Sequence, residues 1–360
     1  MITAAALLLA SMLYAGPERE VSPPVPGHIQ FHGAVSRAGD ATLTAWVDGR
    51  WDVTSVMARV NDGAPFLVAT EASARWVRVA TDGSDFVVLW TAGAPTVYVR
   101  RVLRDGTMPA PAVEVALQGF FIGPSCVTWN GAEYVAGFVK RVKWNPRGEI
   151  VDEIWARRIA RDGTLGGEEL RIAGGSHGVA CASTPETTLF VWGFSQIEGA
   201  TLTRGGTISG KFPVMAGEAP AVASNGTGFL VAAYDRYTYG PSAAVVTRAM
   251  VSELGTVTEK PAFNVEIVPY GLEAPAVGAR PNGGYAVAYG TTPLRLQALD
   301  AAGNPEGTDL LLAREAAFAA ITAGTIVYQR DTANFAEPRW RLFARTLSEI
   351  GRMRRRTTRQ

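Results

Sequence analysis

The scarcest reactive side chains in this 360-residue chain are three histidines, His28, His32 and His177, and two cysteines, Cys126 and Cys181. A nucleophilic triad needs an imidazole beside a serine or cysteine. His28 and His32 lie near the entry to the first repeat and only His177 lies near the candidate binding face, so a triad is not expected. No Cys/His cluster has zinc spacing, so no metal site is expected. The Asp-Gly turns at Asp82, Asp105 and Asp162 lack the Asp-x-Asp-x-Asp spacing of a calcium loop. Paired carboxylates could cleave a glycosidic bond. Asp48, Asp235, Asp331, Glu71, Glu273 and Glu315 are the acids placed for such work, but none stands in a motif. Asn225-Gly-Thr227 has the form of a glycosylation acceptor, yet Asn-Gly is first a hairpin turn. Basic and aromatic residues do not alternate as a nucleic-acid surface requires. These patterns imply neither a cofactor nor a nucleic-acid partner.

Whatever chemistry exists must therefore come from how the chain positions ordinary residues. Hydrophobic content is 47% and charged content 19%, which fits a globular protein, and a net charge of +1 gives no global field for polyanions. Glycine (39) and proline (21) are abundant, which suits many short strands joined by turns. Residues 1–16 carry an apolar core of about ten residues, short for a membrane span and right for a signal peptide. No later segment is long and apolar enough to span a bilayer, so no membrane span is expected and the protein is expected to be secreted or periplasmic. Residues 352–360 form a basic tail, expected to be disordered.

The positioning elements are repeats. Ala219–Asp235, APAVASNGTGFLVAAYD, reads as a strand (Ala221–Ser224), an Asn-Gly turn and an apolar strand (Gly228–Tyr234). Apolar strands closing on an aromatic recur at Trp46, Trp90, Phe138, Trp192, Tyr234, Tyr289 and Tyr328. A second marker, a later hairpin glycine, recurs at Gly63, Gly106, Gly163, Gly206, Gly255, Gly303 and Gly351, and the two series interleave strictly. Seven units with a period of about 47 residues, each with four short strands, predict a β-propeller. The predicted fold is thus all-β: one seven-bladed propeller of four-stranded antiparallel blades over residues 17–351, with six blades plus a cap as the alternative. The seventh unit lacks a good fourth strand after Gly351, so the segment around Glu20-Val21-Ser22 is expected to supply it and close the ring.

The phrases AVASNGTGFLVAAYD, VATDGSDFVVLW and CVTWNGAEYVAGF resemble the repeats of secreted bacterial β-propeller proteins. The resemblance spans residues 20–351 and implies the fold, not an activity. The Ser-x-Asp-x-Gly-x-Thr-Trp box, the Gly-His…Trp-Asp pairing and the Tyr-Trp-Thr-Asp run of other propeller classes are missing.

In such a blade the glycine hairpins share one face, and the loops between strands two and three and between blades share the other. The second face carries the longer, more varied loops. Its aromatic and basic residues are the candidate ligand-binding set: Trp51, Trp76, Phe121, Trp144, Arg147, His177, Arg236, Tyr237, Tyr239, Arg330 and Phe335. Cys126 and Cys181 fall at corresponding points of neighbouring first strands, where they form either a disulfide or two buried thiols. The expected function is an exported, non-catalytic, monomeric binding or scaffold protein that takes a protein, peptide or glycan on this face. The alternative is a glycosidase or polysaccharide lyase with acids at the channel mouth.

Overall fold

The computed structural model describes residues 12–22, 28–49, 54–71, 73–92, 96–117, 124–144, 150–175, 178–235, 244–265, 274–290, 293–331 and 340–350. All named elements among them are strands, arranged in seven antiparallel sheets. Blade one comprises Ile29–Ala38, Ala41–Gly49, Thr54–Val60 and Phe66–Glu71. Blade two follows with Arg75–Thr81, Phe86–Ala92, Thr96–Val102 and Val113–Leu117. Blades three to six run Cys126–Gly174, Ala180–Ala216, Glu218–Val265 and Ala276–Ala313. Blade seven holds Ala317–Thr322, Thr325–Asp331 and Trp340–Ile350. The chain is therefore a seven-bladed β-propeller.

The ring closes with the N-terminal segment. Arg19–Glu20 pairs with Ala344 and Phe343, and Val21 N–H donates to Leu342 O at 2.9 Å. Glu18 accepts from Tyr328 Oη and Arg330 Nη1, and Arg341 donates to Glu20 at 2.8 Å. Met12–Ala15, at the end of the expected leader, also pairs with this blade, opposite Leu347–Ile350.

The second strands explain the architecture. Phe86–Ala92 and Phe229–Asp235 are buried at every position. Strand side chains alternate between faces, so each such strand feeds two interfaces. Phe86, Val88 and Trp90 pack toward blade one, whereas Val87 and Leu89 pack toward blade three. Seven apolar clusters result, one between each pair of adjacent blades. The cluster between blades seven and one is the smallest and contains the fully buried Val21, so the closing segment completes that interface.

One marker residue departs from the pattern. The closing aromatics Trp46, Trp90, Phe138, Trp192, Tyr289 and Tyr328 all face the preceding blade, but Tyr234 faces the following one. A shift of one residue along a strand moves a side chain to the opposite face. Ala233 takes the position of the other aromatics and packs toward blade four.

Candidate ligand-binding site

The inner strands enclose a cavity of about 360 Å³ on the propeller axis, lined from six of the seven blades. Its wall is aliphatic, with Val35, Val79, Val127, Val222, Val277 and Ile321. Ser36, Thr81, Thr128 and Thr322 interrupt it with hydroxyls, and Trp129 adds an indole. All of these residues lie near the ends of the first strands, next to the glycine hairpins. The cavity thus opens at the hairpin end, opposite the loop-rich face.

Thr81 Oγ1 donates to Asp85 O at 2.8 Å and accepts from Gly83 N–H, so its hydroxyl serves the turn. Trp129 meets Tyr134 edge-on at 4.7 Å between ring centroids, which fixes the indole. Among the described residues, no carboxylate, imidazole, guanidinium or ammonium lines the cavity. Among the described residues no group of three or more His, Cys, Asp or Glu could hold a metal ion.

Further along the axis, toward the loop-rich face, the first strands kink. His32 (φ 53°), Trp76 (φ 44°) and Ala219 (φ 50°) adopt left-handed backbone inside register shifts of blades one, two and five. Such a conformation costs on the order of 1–3 kcal/mol for a non-glycine residue and persists only where the surroundings enforce it. Between blades one and two the enforcement is visible. Trp76 N–H donates to His32 Nδ1 at 3.1 Å, and the two rings stack at 5.7 Å. Burial, then the charges of Arg78 and Arg75, pulls the His32 pKa down to about 3. His32 is therefore neutral, with Nδ1 as the acceptor.

The candidate residues read from sequence fare unevenly. Trp51, Phe121, Arg147, His177, Arg236, Tyr237, Tyr239 and Phe335 lie outside the described residues. Trp76 was expected in a loop between blades but lies within the bulged first strand of blade two. Trp144 ends the second strand of blade three, because the expected loop at Lys140–Asp152 is mostly a longer hairpin. Arg330 also lies within a strand, next to its last residue; it pairs with Glu18 and lies 5.0 Å from the Phe343 ring, so its charge holds the closing segment. Asp48 accepts from Trp46 Nε1 at 3.2 Å and Gln30 Nε2 at 3.4 Å, and lies 2.9 Å from His28 Nδ1. It knits blade one together. The hydroxyls of the cavity escaped sequence reading. Their signal is the Ser or Thr that sits just before the first turn in VSRAG, VATDG and VTWNG.

Cys126 and Cys181 are joined by a disulfide with Cα atoms 5.7 Å apart, linking the first strands of blades three and four. Gly137 opposes Cys126, and a Cβ there would stand 2.7 Å from Cys126 Sγ. The glycine of YVAGF thus makes room for the bridge.

Fold and site together define a β-propeller with an uncharged axial cavity. No family model and no curated protein matches the sequence. Among solved structures, a fungal alcohol oxidase of the AA5 family, in complex with copper, is similar at TM-score 0.54 and 11% identity, over 93% of this chain and 76% of that one. An acylaminoacyl peptidase from Pyrococcus horikoshii matches at TM-score 0.52 and 10% identity, over 88% of this chain and 50% of that one. The β-propeller domain of the Trilobed protease from Pyrococcus furiosus, described as having an open velcro topology, matches at TM-score 0.51 and 8% identity, over 89% and 97%. At these identities the likeness is one of fold.

Proposed function

We propose that this protein is an exported bacterial binding propeller, monomeric and non-catalytic, whose axial cavity takes the end of a neutral glycan. The carrying observation is the chemistry of the wall. Aliphatic side chains and an indole suit the C–H faces of a sugar ring, and scattered hydroxyls suit its own hydroxyls. No lining group would reward a charged ligand. The volume is within the ordinary range of small-molecule sites. Hydrolysis by paired acids would need two carboxylates about 5–10 Å apart at the scissile bond, and none is among the described residues of the lining. Export is supported by the apolar run within residues 1–16 and by the disulfide, a bond that persists in oxidising compartments.

The test is a glycan array probed with the full chain and with Trp129→Ala and Thr128→Val. Saturable binding of a neutral glycan, weakened at least tenfold by Trp129→Ala, supports the reading. Turnover of a polysaccharide, or binding confined to charged glycans, overturns it.

A further inference from the structure

We infer that the outer edge of blade seven is a strand-acceptor site for an extended peptide with an aliphatic anchor, held in this structure by the chain's own Met12–Ala15. The closing segment has two separable parts. Glu18–Val21 is anchored by ion pairs to Arg330 and Arg341 and by the fully buried Val21. Met12–Ala15 contributes to none of these bonds. Among the described residues it pairs only with Leu347–Ile350, in antiparallel register from Met12 opposite Ile350 to Ala15 opposite Leu347. When it leaves, the ring stays closed at Phe343 and Ala344, and a short backbone edge is exposed for a new strand.

The seat also has side-chain selectivity. Leu13 lines a pocket of about 160 Å³ with Ala286, Ile321 and Leu347, flanked by the Arg280–Glu349 pair at 3.2 Å. Ala15 packs on the same apolar cluster, whereas Tyr14 is 51% exposed. The alternation specifies the guest: an aliphatic residue at the first inward position, a small one two residues later, and any residue between them. Hydrolysis of the Ala15–Gly16 bond by a leader peptidase, with water supplying the new carboxylate oxygen and the amine hydrogens, would free the seat. The pocket shares Ile321 with the wall of the axial cavity, but strand addition at Leu347–Ile350 needs no ligand in that cavity, so either proposal can fail alone.

The experiment uses the full chain with a specific protease sequence inserted between Ala15 and Gly16, cut after folding. A fluorescent peptide of residues 11–15, SMLYA, is then titrated by anisotropy. The expected result is saturable one-to-one binding to the cut chain and at least tenfold weaker binding to the uncut chain. A peptide carrying Leu13→Asp should lose at least tenfold, and one carrying Tyr14→Ser should change less than about twofold. The full chain with Leu13→Asp gives a second route: faster amide exchange at Leu347–Ile350 and binding of the free peptide. No binding by either protein, equal binding of the Leu13→Asp peptide, or dimers formed by exchange of Met12–Ala15 between copies would overturn the proposal.

Discussion

Arg161, in the second glycine turn of blade three, donates through Nε to Oδ2 of Asp82 in the first turn of blade two, 79 residues away in sequence. Asp82 Oδ1 meanwhile accepts the backbone N–H groups of Ser84 and Asp85, each at 2.8 Å. One carboxylate thus caps its own hairpin and clasps the next blade. Arg104 and Asp40 make the same contact between blades two and one. The Asp82 side chain is fully covered, whereas that of Arg161 is 58% exposed, so the carboxylate is the more sensitive partner.

Replacing Asp82 with Ala should leave two turn N–H groups without their acceptor. A loss of about 1–3 kcal/mol is expected, measured by urea unfolding at neutral pH. Arg161→Ala should cost clearly less, because its exposed side chain contributes mainly a screened contact.

The same carboxylate gives a pH dependence. Burial pushes the Asp82 carboxyl up, but the Asp85 and Ser84 amides and Arg161 together hold it below the ordinary aspartate value. Its contribution is present above about pH 3.9 and lost as pH falls further. Asp82→Asn should unfold with a shallower pH dependence below that point, measured as melting temperature between pH 2 and 5.

His32 titrates with the same sign of slope in a different window. Its pKa falls from 6.5 to about 3 because of burial and the neighbouring Arg78 and Arg75. Folding therefore favours the neutral ring. The associated stability is complete above about pH 6.5 and drains away as pH drops toward 3. Proton NMR of the His32 ring should show no titration between pH 5 and 8. A midpoint near 6.5 would contradict the stacked, acceptor geometry.

The bridge between blades three and four should be worth roughly 2–4 kcal/mol, most of it through the unfolded chain. Cys126→Ala with Cys181→Ala should lower the unfolding free energy by that amount, measured by denaturant unfolding, and mass spectrometry should find no free thiol in the parent protein. Gly137→Ala should impair the bridge as well, since its Cβ would press on the sulfur.

Tyr234 faces the sixth blade, and its hydroxyl accepts the Gly290 N–H at 3.0 Å. Tyr234→Phe should orphan that buried donor and cost about 1–3 kcal/mol. At Tyr328 the contact is with the closing segment, so Tyr328→Phe should loosen the amides of Arg19 to Val21 in hydrogen exchange.

Much of this architecture is written in local phrases. The apolar second strands, the aspartate and asparagine turns and the missing fourth strand of the last unit together dictated blades, their number and closure by the N-terminal segment. They could do so because turn chemistry and the two-residue alternation act over a few neighbours. Where the inward side chains point is a different matter. The one-residue slip at Tyr234, the kinks at His32 and Trp76 and the assignment of Arg330 to Glu18 depend on register against a strand from elsewhere in the chain. The cavity is the extreme case. Six blades each supply two or three residues to it, and apart from Trp129 none of them is distinctive alone. Sequence determined the repeating unit because its signals are short-ranged; only closure of the ring, which brings Val35 and Ile321 to one wall, decided that the unit leaves an uncharged chamber on its axis.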